Sequence, residues 1–132
     1  MKVLAVDLGT KRTGFAISDP SGKMALALPT LQDVTAVDVA VLAQDHNAEE
    51  VVVGLPLNMD GTTGPSAKRA LEFIDELKLH LTVPVVPWDE RLSTAEGQER
   101  LRQAGLDRRD RHKRADVAAA IVILESYLRR PR

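Results

Sequence analysis

Three short apolar runs constrain the fold of this 132-residue chain more than any other feature. KVLAVD (2–7), EEVVVG (49–54) and VPVVPW (83–88) are too short for helices and rich in valine, so they read as strands. EEVVVG has no polar alternation in its apolar part, which suits a strand covered on both faces. Helical patterns fill the intervals. Val34, Val37, Ala40 and Val41 share one stripe and predict a helix over 35–47, while Ala67, Ala70, Leu71, Ile74 and Leu77 predict another over 65–81, with Pro65 in its first turn. RTGFAISD (12–19) follows the first run after a glycine-bearing turn and predicts a hairpin, and MALALPT (24–30) follows the turn DPSG as a third strand. Ser93 and Glu96 form a capping-box pattern that starts a helix ending near Gly105, and a last helix is predicted over 113–128. The order implies an α/β fold: a mixed five-stranded sheet, three antiparallel strands and then parallel ones joined by helical crossovers, flanked by helices. No linker or repeat interrupts it, so 1–132 reads as a single domain.

Composition excludes several classes of function. With 44% hydrophobic and 28% charged residues the chain is globular rather than disordered. It has no cysteine, hence no disulfide, thiolate metal site or cysteine nucleophile, which fits a reducing compartment. The three histidines, His46, His80 and His112, lie far apart and do not form a zinc pattern. The run Val3 to Val6 is too short for a signal peptide or a membrane span, so no membrane partner and a cytoplasmic location are expected. Only four aromatic residues are present, few stacking platforms for single-stranded bases.

The net charge of −1 conceals a segregation. Residues 1–99 carry 8 basic and 15 acidic side chains, whereas 100–114 carry 7 basic and 2 acidic. The strip RLRQAGLDRRDRHKR, with Arg108, Arg109, Arg111, Lys113 and Arg114, could be a solvated helix end, or it could follow a phosphate backbone through counterion release.

Three carboxylates occupy unusual places. Asp7 ends the first strand just before Gly9, at the edge where open α/β sheets bind ligands. Glu90, preceded by Asp89, ends the last strand in the same way. Asp116 lies three, four, seven, eight and eleven residues before Ala119, Ala120, Ile123, Leu124 and Tyr127, on the core-facing stripe of the last helix. Each has an ordinary alternative: Asp7 as a turn cap, Glu90 as a surface acid, Asp116 as a complement to the helix dipole. If the three converge, anions about 4 Å apart repel by roughly 4 kcal/mol per pair at an effective dielectric near 20. Such a cluster needs a cation, and hard oxygens without His or Cys suit Mg2+ or Mn2+. Beside Lys11, Arg12, Arg91 and the basic strip, a metal-dependent phosphodiester hydrolase is the chemistry these residues favour.

AVDLGTKRTGFAISD, VVVGLPLNMDGTTGP, WDERLST and ADVAAAIVILESYL together resemble the YqgF/RuvX family, in blocks that extend from end to end of the chain. The resemblance implies an RNase H-like fold and a Holliday junction resolvase-like nuclease, of a family implicated in 5′-end maturation of pre-16S rRNA. It also implies that Asp7, Glu90 and Asp116 are the acidic triad. Lys11 and Arg12 in the turn after the first strand, Asn58 in the LPLN loop and Arg91 would then hold the nucleic-acid backbone. The expected partner is structured RNA or branched DNA, bound by a monomer or homodimer. Two other readings remain open from the residues. DLGTKRTG also resembles the phosphate hairpin of two-lobed ATP-binding proteins, although this chain is too short for two lobes. A non-catalytic RNA- or DNA-binding module would use the same fold without cutting.

Overall fold

The computed structural model describes residues 1–92 and 119–130. Alternation along the first strand, β1 (Val3–Leu8), sends Leu4, Val6 and Leu8 to one side of the sheet and Val3, Ala5 and Asp7 to the other. The strands that follow are β2 (Arg12–Ser18), β3 (Ala25–Gln32), β4 (Glu50–Leu55) and β5 (Val85–Asp89), and the helices α1 (Ala36–Asp45) and α2 (Pro65–Lys78) connect the last three. A single 3-10 turn, Glu90–Leu92, closes β5, and a further helix, α3, is seen over 119–128.

The sheet order is β3-β2-β1-β4-β5. β1, β2 and β3 pair antiparallel, while β4 pairs parallel with both β1 and β5. This is the mixed five-stranded sheet expected from the sequence. The β2–β3 register shifts between Thr13 and Phe15, opposite a stretch of β3 containing Pro29; an edge strand tolerates the missing N–H there.

Each face of the sheet has its own core. Leu4, Val6, Phe15, Val51 and Val53 pack under α1 and α2, and Val3, Ala5, Ala16 and Val52 pack under Ala120, Ile123, Leu124 and Tyr127 of α3. Each fully buried Val, Leu or Ile side chain contributes about 1.5–3 kcal/mol, so two covered faces hold β1 and β4 rigidly at the sheet centre.

Helix starts follow local chemistry. Thr35 caps α1 in a reciprocal capping box: its side chain accepts from the Asp38 N–H at 3.2 Å, and the Asp38 carboxylate accepts from the Thr35 N–H at 3.0 Å. Pro65 opens α2 after Gly64. The core-facing stripe of α1 departs from the expected one. Ala36, Val39, Ala40 and Ala43 are buried, whereas Val37 and Val41 are about half exposed. The small alanines let the helix sit close to the sheet, so the bulkier valines turn outward. The helix expected from Ser93 to Gly105 lies outside the described residues.

Candidate active site

β1 and β5 flank β4, and all three run the same way, so their C-terminal ends meet at one edge. Asp7 stands one residue from the end of β1, opposite Gly14 in the hairpin, and its side chain shares the face covered by α3. Glu90 stands in the turn just after β5. The two carboxyl groups hydrogen-bond each other across the end of β4.

Gly54 makes that contact possible. A Cβ at this position would lie 2.6 Å from Glu90 Oε1 and 2.7 Å from Ile123 Cδ1, so only a residue without a side chain lets the Glu90 carboxyl lie over β4. Burial, then the hydrogen bond to Asp7, then the charges of Asp7 and Asp89 push the Glu90 carboxyl up from 4.5 to about 9. The pair therefore holds a proton at neutral pH, and a bound cation is what would let both groups ionise. Two adjoining hard-oxygen donors in a space cleared by Gly54 fit Mg2+ or Mn2+. Among the described residues no group of three or more His, Cys, Asp or Glu side chains forms a metal site. Asp116, the third expected acid, lies outside the described residues, as do Arg108, Arg109, Arg111, Lys113 and Arg114. Ala120 and Ile123, four and seven residues after Asp116, are buried on the Asp7 face.

Asp89 has a different task from Glu90. Its carboxylate takes Arg91 as a fork: Arg91 Nη2 donates at 2.7 Å and Nε at 3.0 and 3.1 Å, which holds Asp89 below the usual carboxylate range. Arg91 Nη1 donates to the Met59 carbonyl at 3.2 Å, so this arginine ties the loop after β4 to the end of β5. Within that loop the Asn58 amide donates to Thr62 Oγ1 at 2.9 Å, and Asp60 Oδ1 accepts from the Thr62 N–H at 2.9 Å and its hydroxyl at 2.6 Å. Asn58 and Arg91, expected to hold a phosphate, are thus visibly engaged in building the loop beside the acidic pair.

Lys11 and Arg12, four and five residues after Asp7, are exposed at the β1–β2 turn. That turn is tight: a Cβ at Gly9 would run into the Arg12 carbonyl. Two contributors escaped the sequence reading. Gly54 was signalled only by ending a valine run. Arg69 of α2, whose Nη2 donates to the Gly9 carbonyl at 3.1 Å, gave no signal, because its partner lies 60 residues away.

The model of the family described as RuvX, Holliday junction resolvase, matches residues 1–130. The chain belongs to the RuvX family. Relatives named "Putative pre-16S rRNA nuclease" resemble it over almost their whole length. The one from Anaeromyxobacter sp. (strain K) is 44% identical over 98% of each chain, and the one from Desulforudis audaxviator (strain MP104C) 39% identical over 97% of this chain and 94% of its own. Among solved structures, Thermus thermophilus RuvC in complex with Holliday junction substrate matches with a TM-score of 0.61 at 15% identity, over 96% of this chain and 92% of RuvC. The fowlpox virus Holliday junction resolvase matches with a TM-score of 0.60 at 17% identity, over 97% and 98%. At such identities the likeness concerns the fold, and this RuvX family member has the RNase H-like architecture of those resolvases. No helix among its described residues is long and apolar enough to cross a membrane.

Proposed function

We propose that this protein is a divalent-metal-dependent endonuclease of structured nucleic acid, which acts on the 5′ end of pre-16S rRNA or on four-way DNA junctions. The observation that carries the reading is the contact between Asp7 and Glu90. A core does not gain from two touching carboxyl groups that must share a proton, whereas a metal site does. Family membership supports the same chemistry.

In this reading Asp7 and Glu90 hold one or two Mg2+ or Mn2+ ions, with Asp116 as the third acid. The bound ion supplies Lewis-acid polarisation of the phosphate, an acidified water and charge compensation for the leaving oxygen. Gly54 keeps the space over β4 open for the Glu90 carboxylate. Lys11 and Arg12 stand in the hairpin that follows Asp7 in the chain and steady the phosphate backbone as it passes that turn, a sequence-independent contact that sets register. Arg91 and Asp89 hold the 56–64 loop as the neighbouring wall. Cleavage leaves a 5′-phosphate and a 3′-hydroxyl.

The test is incubation of the wild-type protein and Asp7→Asn with a labelled pre-16S rRNA 5′ end and a four-way DNA junction, in Mn2+, Mg2+ or chelator. Metal-dependent cuts that vanish in the variant are expected, and the substrate cut at the lower enzyme concentration names the class. Binding without cuts on either substrate would replace the nuclease with a docking module.

A further inference from the structure

On the opposite side of the same sheet edge, a cleft of about 160 Å³ opens between the β1–β2 turn, the segment entering α1, and α2. Leu8, Val34 and Phe73 give it apolar walls, and Lys11, Arg69 and Asp33 bring two cations and one anion to its lining. Arg69 is held at the turn by a single nitrogen. Its Nη2 donates to the Gly9 carbonyl at 3.1 Å and reaches the Leu8 carbonyl at 3.5 Å, while its other nitrogens donate to nothing among the described residues. Lys11, Arg69 and Asp33 make no ion pair with one another or with any other described residue.

A guanidinium fixed at one end keeps its remaining N–H groups in a planar fork, the geometry that suits two unesterified phosphate oxygens, and the nearby ammonium adds a mobile charge. The cleft carries a formal surplus of one positive charge on an otherwise acidic body. Asp7 and Leu8 are successive residues of β1 whose side chains leave opposite faces, so the cleft and the acidic pair lie on either side of one hairpin turn.

We propose that the Lys11–Arg69 cleft is a second phosphate site, which grips the backbone of the nucleic acid a few nucleotides from the bond held at Asp7 and Glu90. The proposal rests on the nuclease reading and adds a selection to it. A backbone that occupies both sites has to pass over the hairpin, as it can where a strand bends at a junction or leaves a helix end. Asp33 sets the affinity, since it is the one carboxylate in the lining.

The experiment is fluorescence anisotropy in chelator, with a labelled RNA hairpin bearing a single-stranded 5′ extension and a labelled four-way DNA junction, each titrated over a range of salt. Arg69→Gln and Lys11→Ala are each expected to weaken binding roughly tenfold at low salt and to flatten the slope of log Kd against log salt by about one. Asp33→Asn should tighten binding by roughly threefold, as expected when a single like charge leaves the neighbourhood of a phosphate. Asparagine tolerates the backbone at this position, where φ is 50°, so this variant keeps its fold. Lys78→Ala removes the same charge at the far end of α2 and serves as the unchanged control. A loss on one probe alone supports the cleft and names RNA or DNA as its ligand. Wild-type binding with unaltered slopes in Arg69→Gln and Lys11→Ala, or with no tightening in Asp33→Asn, would overturn the cleft and leave Arg69 as a brace of the turn. Failure of the wild-type protein to bind either probe would overturn the nuclease reading and the cleft together.

Discussion

In the presence of a chelator, Glu90→Gln is expected to be more stable than the wild-type protein at neutral pH. Folding places Glu90 against Asp7, and burial with that contact lifts its carboxyl from 4.5 to about 9. At pH 7 the unfolded chain carries Glu90 ionised, while the folded chain carries a proton on the Asp7–Glu90 pair, so folding takes up one proton. The interval from 4.5 to pH 7, at roughly 1.4 kcal/mol per unit, corresponds to about 3 kcal/mol. Because the folded value is raised, the stability tied to this group is fully present below pH 4.5, falls as pH rises and levels off above about 9. Asp19, Asp38, Asp60 and Asp89 have lowered folded values and act in the opposite sense, losing their contribution only on acidification below the ordinary 3.8. The window from pH 5 to 8 therefore belongs to the acidic pair. Glutamine keeps the shape of Glu90 and a donor toward Asp7 without the charge. Trp88, the only tryptophan, donates to Ser126 Oγ at 3.2 Å and meets the Tyr127 ring edge-on at 5.3 Å, so its fluorescence reports urea unfolding at this face. The variant should gain less than about 1 kcal/mol at pH 5 and about 3 kcal/mol at pH 7. A difference between the two proteins that stays constant from pH 5 to 8 would refute the reasoning.

Three further outcomes follow from the same geometry. Mn2+ should raise the Tm of the wild-type protein at pH 8 in proportion to log concentration once the ion is in excess, and Glu90→Gln should respond at much higher concentrations or not at all in a thermal-shift titration. Gly54→Ala sets a methyl group against Glu90 Oε1 and Ile123 Cδ1, so the Glu90 carboxyl has to move away from its place over β4, and a thermal-shift titration should show weaker Mn2+ stabilisation than in the wild-type protein. Arg91→Ala removes the fork on Asp89 and the bond to the Met59 carbonyl; global stability should change little, whereas amide exchange at residues 59–62 should accelerate and the Asp89 carboxyl should return toward its ordinary range by NMR titration.

What the sequence reveals about this fold, and what it conceals, divides along a physical line. All five strands are legible to within a few residues, β1, β4 and β5 through their valine-rich runs, since a strand covered on both faces tolerates little else than Val, Ala and Leu, and β2 and β3 through the turns that precede them. Asp7 and Glu90 stand out in the sequence for the complementary reason: a carboxylate at the end of such a run breaks the pattern that packing demands. The face of α1 is hidden in the sequence because valine weighs more than alanine in any periodicity, although contact distance to a sheet favours the smaller residue. The sequence suggests a phosphate for Asn58 and Arg91, and only the fold reveals their hydrogen bonds to Thr62, Asp89 and Met59. Arg69 and Gly54 were beyond reach, since each acts through residues that tertiary folding alone brings near. A pattern thus exposes the groups that resist burial, while the groups that accommodate them, a missing side chain or a guanidinium at a turn, appear only once strands and helices are in place. That asymmetry explains why Asp7 and Glu90 stand out along the chain, whereas the space that lets them touch does not.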